Sequence, residues 1–204
     1  MPMKLRRRTG IRPKRGSQGP EERATSSGRL VAHFFWSFSV IVAFGRDDLR
    51  ICREYAQQRL DYANQRGWKD KQKRPSSKAH FIGVCGEYAA AAVLGRPYEF
   101  SNGTCKSEPD VHGIDVRTSK RDDARLIVRE DDPQHLAVML MTVCDRRGKM
   151  RFAGWQLYGD NRSDRYWVNG RNGWCDCWMI PQSHLDRDLT HLRQFMKGAN
   201  RWMV

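Results

Sequence analysis

The chain reads as an α+β protein: a mixed central sheet flanked by helices, with a basic N-terminal extension. Three observations predict this. Two stretches of helical period lie between residues 47 and 94. A succession of short apolar runs punctuated by turn residues follows from 110 to 180, and an amphipathic stretch closes the chain. Helices segregated from a run of strands are the mark of α+β or three-layer architecture.

Length and composition set the frame. The 204 residues are 39% hydrophobic and 29% charged, with a mean hydropathy of −0.76. That is one domain plus extensions, large enough to bury a core without staples. The net charge is +14, which favours a polyanionic partner, nucleic acid being the common one. Residues 1–30 hold nine Lys or Arg and two Glu, a local charge of +7 and half the total. The remaining half is spread over the rest of the chain.

Each element has a local reason. Residues 1–29 are rich in Arg, Gly, Ser and Pro without apolar period, the composition of a disordered tail. Residues 30–44 are an apolar run of uncertain role. They are short of the about 20 residues a spanning helix needs and near the about 7–15 of a signal-peptide core. The stretch Val42-Ala43-Phe44-Gly45 makes a poor cleavage site. Three readings stay open: a helix packed on the domain, a membrane or export segment, or an upstream extension outside the working protein. The folded domain is expected over 46–204, with its core about 78–197.

Leu49, Cys52, Ala56, Leu60 and Ala63 step by three or four and predict a helix over 47–66, ended by Gly67. Arg46, Arg50, Arg53, Arg59 and Arg66 fall on its other face. A basic loop follows, in which Lys69, Lys71, Lys73 and Arg74 could track phosphates. The second helix, over 78–94, is rich in Gly and Ala and stops at Gly95 and Pro97. Glu87 shares a face with Gly83, Ala90, Ala91 and Leu94 and needs a partner there. An arginine at the helix rim and a metal site are the two candidates.

Strands are predicted at 110–111, 114–118, 125–129, 136–143, 151–158, 166–168 and 177–180. Turns fall at His112-Gly113, Asp122-Asp123, Asp131-Asp132-Pro133, Arg146-Arg147-Gly148 and Asn172-Gly173. A last helix is expected over 183–197, capped by Ser183 and lined by Leu185, Leu189, Leu192 and Met196.

Asp110 and Asp115 flank the His-Gly pair, so a hairpin would hold both at one end of a sheet. Clustered acids in a basic protein are costly unless a metal ion or cation lies between them. Of the six cysteines, Cys52, Cys85 and Cys144 sit within apolar or small-residue runs, which suits reduced cytosolic thiols and predicts a cytoplasmic protein. Cys175-Asp176-Cys177 lacks the spacing and second pair of a zinc knuckle. His112 reads as a turn residue, and Trp155, Tyr166 and Trp167 as core. Trp174, in a Gly/Asn loop, is the better platform for a stacked base.

These residues, in this order, resemble the PD-(D/E)XK nuclease superfamily, and more narrowly its small phage- and prophage-encoded members. The likeness rests on Gly86-Glu87, Leu94-Gly95, Pro109-Asp110-Val111, Gly113, Asp115-Val116-Arg117-Thr118, Leu126-Ile127-Val128, Gly154-Trp155, Tyr166-Trp167 and Ile180-Pro181-Gln182-Ser183. It covers roughly residues 80–190. The resemblance implies a restriction-endonuclease-like fold and Mg2+- or Mn2+-dependent hydrolysis of DNA phosphodiesters, as an endo- or exonuclease of phage or mobile-element biology. It implies Asp110 and Asp115 as the first and second motif acids, Glu87 as the helix acid, all three as metal ligands, and Arg117 where the family usually has Lys.

Arg cannot act as a base but can stabilise phosphate charge. Lys120 could substitute only if the strand has ended or bulged, because positions 117 and 120 alternate faces. The four residues between Asp110 and Asp115 are few for the family. A second register would make Asp115 the first acid and leave the second without a residue near 126–129. No small-molecule cofactor is expected. Two other functions stay open: a nuclease-like fold that binds nucleic acid without cutting, and a basic structural protein of a phage or a membrane-associated one using residues 30–44.

Overall fold

The computed structural model describes residues 31–34, 40–67, 77–100, 109–145, 149–170 and 176–199. The chain is α+β with a mixed sheet. In order it forms β1 (Val31–Phe34), β2 (Val40–Ala43), α1 (Arg46–Gln65), α2 (Ser77–Leu94), β3 (Ile114–Ser119), β4 (Leu126–Val128), β5 (Ala137–Val143), β6 (Met150–Leu157), β7 (Trp167–Val168), β8 (Cys177–Ile180) and α3 (Leu189–Ala199).

The described parts of the apolar run, Val31–Phe34 and Val40–Ala43, are strands, not helix. Its β-branched and aromatic residues suit a pleated surface, and β1 and β2 pair antiparallel, with Val42 opposite Met150 of β6. Val40 and Val42 are buried while Ile41 and Ala43 are partly exposed, the period of two of a one-sided strand. The sheet thus takes two strands from upstream of residue 46. No helix among the described residues is long and apolar enough to cross a membrane.

The main sheet runs β1-β2-β6-β5-β3. The β3–β5 pairing is parallel and the others are antiparallel. A small antiparallel sheet runs β4-β8-β7. Alternation along β5 separates two cores. Ala137, Met139 and Met141 pack with α1, α2 and Leu192 of α3. Val138 and Leu140 pack with Leu126, Val128, Tyr166, Ile180 and Leu185. Helices therefore cover one face of the main sheet and the small sheet packs on the other.

Helix α1 starts at Gly45, whose N–H is taken by Asp48 Oδ2 at 2.7 Å. Helix α2 buries residues on almost every side, as an element sandwiched between α1 and the sheet must. It ends where Gly95 turns to φ +68° and Arg96 N–H reaches the Ala91 carbonyl at 3.0 Å. Gly86 meets β3: a Cβ there would lie 1.9 Å from Thr118 Oγ1.

The last helix starts later than the apolar spacing suggested. Gln182–His184 form a single 3-10 turn. Asp186 then exchanges backbone hydrogen bonds of 2.8 and 2.9 Å with Trp155, which carries Leu185 into the second core. Asp188, not Ser183, is the cap: its Oδ1 accepts the Thr190 N–H at 2.7 Å. Similarly, Asp164–Tyr166 form a 3-10 turn that shortens β7 to two residues.

Candidate active site

The site grows from a tight turn. Val111 and Ile114 exchange backbone hydrogen bonds of 2.9 Å. Between them His112 and Gly113 both take positive φ, +46° and +88°, the mark of a type I′ hairpin turn. His112 Nε2 lies 2.7 Å from the Pro97 carbonyl oxygen, so its role is to anchor the turn. The turn brings Asp110 back along β3, which is an edge strand. There Asp110 Oδ2 accepts the Val116 N–H at 2.9 Å. A carboxylate thus occupies the place of a neighbouring strand.

Asp110 and Asp115 meet side by side. Burial, then the hydrogen bond and the negative charge of Asp115, push the Asp110 carboxyl up to about 8. Asp110 therefore holds a proton at neutral pH and donates it to its neighbour. Burial works to raise Asp115 as well, but hydrogen bonds from Asp110 and Tyr158 and the Arg117 charge carry it below the ordinary carboxylate value. Two adjacent buried acids cannot both ionise without a compensating cation.

Arg117 lies on the same face of β3 as Asp115, 3.2 Å from its carboxylate. Nε donates to Tyr158 Oη at 2.8 Å and a terminal nitrogen donates to Asp132 Oδ1 at 2.9 Å. The Tyr158 hydroxyl donates to Asp115 Oδ2. Burial opposes the Arg117 charge, but Asp115, Tyr158 and Asp132 outweigh it and hold the guanidinium above its ordinary value. It stays charged, with its side chain 32% exposed. Lys120 lies just past the end of β3 and is exposed.

Glu87 belongs to a different pair. It is 4% exposed on α2, and its two oxygens accept from both terminal nitrogens of Arg59 at 2.5 and 2.6 Å. Tyr98 Oη adds a third bond at 2.9 Å. The geometry has a simple cause. Thr118 of β3 abuts α2 at Gly86, whereas Asp115 and Arg117 face Tyr158 in the second core. The two sets remain within electrostatic reach: the Glu87 charge also raises the Asp110 carboxyl, and Asp110 acts on Arg59. Among the described residues no group of three or more His, Cys, Asp or Glu converges where a metal ion could sit.

The oxygen donors of Asp110 and Asp115 fit a hard divalent cation, which would replace the shared proton. Glu87 is engaged by Arg59 and Tyr98 through three hydrogen bonds. The partners that the sequence reading did not assign to the site are Arg59, Tyr98, Asp132 and Tyr158. Arg59 falls on the face of α1 opposite its apolar spacing, yet its side chain is only 10% exposed. Lys69, Lys71, Lys73, Arg74 and Trp174 lie outside the described residues. Trp155 packs against Phe195 with ring centres 6.0 Å apart, and Trp167 meets Trp178 at 4.6 Å.

Comparisons with protein-family models, with curated proteins and with solved structures found no match to this chain.

Proposed function

We propose that the chain is a metal-dependent nuclease of restriction-endonuclease-like fold that hydrolyses DNA phosphodiesters, of phage or mobile-element origin. The observation that carries this is the adjacent pair of buried carboxylates, Asp110 on the Val116 N–H and Asp115 against Arg117. Mg2+ or Mn2+ would be held by these two carboxylates, and when bound supplies a neutralising charge and an acidified water.

The chain's own groups account for the rest. Asp115 is kept ionised by Arg117 and Tyr158. Asp110 is aimed by its bond to the Val116 N–H. Arg117, pinned from three sides, presents a fixed positive charge to a phosphate and takes no proton. Arg59 neutralises Glu87, so the helix acid keeps α1 and α2 in register with the site.

A second reading, a nuclease-like fold that binds nucleic acid without cutting it, is favoured by the closed Glu87–Arg59 pair. Incubation of the full chain with linear and supercoiled DNA separates the two, in Mg2+, Mn2+ or EDTA and beside Asp110→Ala. The full chain is used because β2 pairs with β6. Cleavage that needs both metal and Asp110 supports the nuclease. Salt-sensitive binding without cleavage supports the second reading.

A further inference from the structure

A cleft of about 670 Å³ opens between the free face of β3 and the small sheet. That volume falls in the range of about 300–1,000 Å³ that encloses a drug-sized ligand, the size class of one nucleotide. Its floor is apolar: Ile127 of β4, Leu140 of β5 and Met179 of β8 line it. Its walls are basic, with Arg117, Arg121, Arg125 and Arg129 against one carboxylate, Asp123.

The arginines are not equivalent. Arg121 is held by Asp123 through bonds of 2.9 and 2.8 Å. Arg117 is held by Asp115, Asp132 and Tyr158. Arg125 and Arg129 flank β4, are exposed, and have no ion pair among the described residues. Alternation sets this arrangement: Leu126 and Val128 enter the second core, so Arg125, Ile127 and Arg129 share the opposite face, towards the cleft.

We infer that this cleft binds an unpaired nucleotide of single-stranded nucleic acid, the base against Ile127 and Met179 and the flanking phosphates on Arg125 and Arg129. Charge complementarity selects a polyanion. The apolar floor selects a base free of its stack, since a paired base offers no face to it. Arg117 connects the cleft to Asp115, so a strand seated there would run past the carboxylate pair. The inference deepens the nuclease reading, on which its catalytic meaning rests, by naming the substrate as single-stranded; the binding itself can be tested apart from cleavage.

The test is fluorescence anisotropy of the full chain in EDTA, with a labelled 12-residue single strand and a hairpin duplex of the same sequence. The single strand should bind at least about tenfold tighter. Arg125→Ala with Arg129→Ala should weaken it at least about tenfold and lower the salt slope by about 1.4, the value for two phosphate contacts on a single strand. Lysine at both positions should restore the slope. Met179→Ala, which removes apolar surface and no charge, should weaken binding without changing the slope.

Equal affinity for strand and duplex would overturn the inference, as would undiminished binding by the double alanine variant with an unchanged melting curve. Competition by dAMP as strong as that of the 12-residue strand would overturn the strand and leave a free nucleotide as ligand. Cleavage that survives with wild-type strand binding in the double variant would remove the cleft and keep the nuclease. Strand binding without cleavage would do the reverse.

Discussion

Replacing Gly86 by alanine tests how α2 is seated on β3. The added Cβ would lie 1.9 Å from Thr118 Oγ1, 2.8 Å from its Cγ2 and 2.9 Å from its Cβ. Rotating Thr118 relieves the first two contacts but not the third, because Cβ does not move with χ1. The helix must therefore retreat from the strand, across the contact that fixes where Glu87 stands relative to Asp110. Overpacking of this kind costs about 1–3 kcal/mol, and helix propensity returns up to about 1 kcal/mol. A net loss of about 1 kcal/mol is expected, read as a fall of about 2–4 °C in melting temperature. Gly83→Ala is the control on the same helix: its Cβ would meet nothing within 4 Å, and it should gain about 0.5–1 kcal/mol. Thr118→Ala in the Gly86→Ala background should recover only part of the loss, since the Cβ contact remains. Gly86→Ala melting at or above Gly83→Ala would refute the reasoning.

Two further predictions concern charge. Asp110 is raised in the folded state from 3.8 to about 8, so its stabilising contribution is present below the unfolded value and lost as pH rises through the folded one. Between pH 5 and 7 the wild type should lose on the order of 1–3 kcal/mol relative to Asp110→Asn, in parallel urea titrations. Equal pH profiles would remove the shared proton from the account. Arg59→Ala leaves Glu87 buried with its charge uncompensated by Arg59 and should cost about 3–5 kcal/mol. Glu87→Gln in that background should return part of it, and no recovery in urea denaturation would show that Arg59 acts by packing alone.

Much of the fold was legible from period and punctuation. The steps of three and four in α1, the Gly95 stop of α2 and the positive-φ turn at His112-Gly113 all follow from local chemistry. The two upstream strands did not, because an apolar run of this length suits a helix or a strand equally until a partner edge is known; β6 supplies it. Asp110 and Asp115 were readable because a two-residue turn fixes their separation. Glu87 was readable as a buried acid needing a partner, but not as a partner of Arg59. Those residues lie 28 apart, and the heptad-like spacing of α1 says nothing about which arginine faces α2. Tyr158 and Asp132 were hidden for the same reason: β6 and the loop after β4 reach Arg117 only once the sheets are stacked.

The central claim is that Asp110 and Asp115 form the metal locus of a nuclease. The most direct measurement is cleavage of linear and supercoiled DNA by the full chain, in Mg2+, Mn2+ or EDTA, beside Asp110→Ala with its fold verified by circular dichroism. The account predicts cleavage in either metal, none in EDTA and none by the variant. Metal-dependent cleavage retained in Asp110→Ala would contradict it.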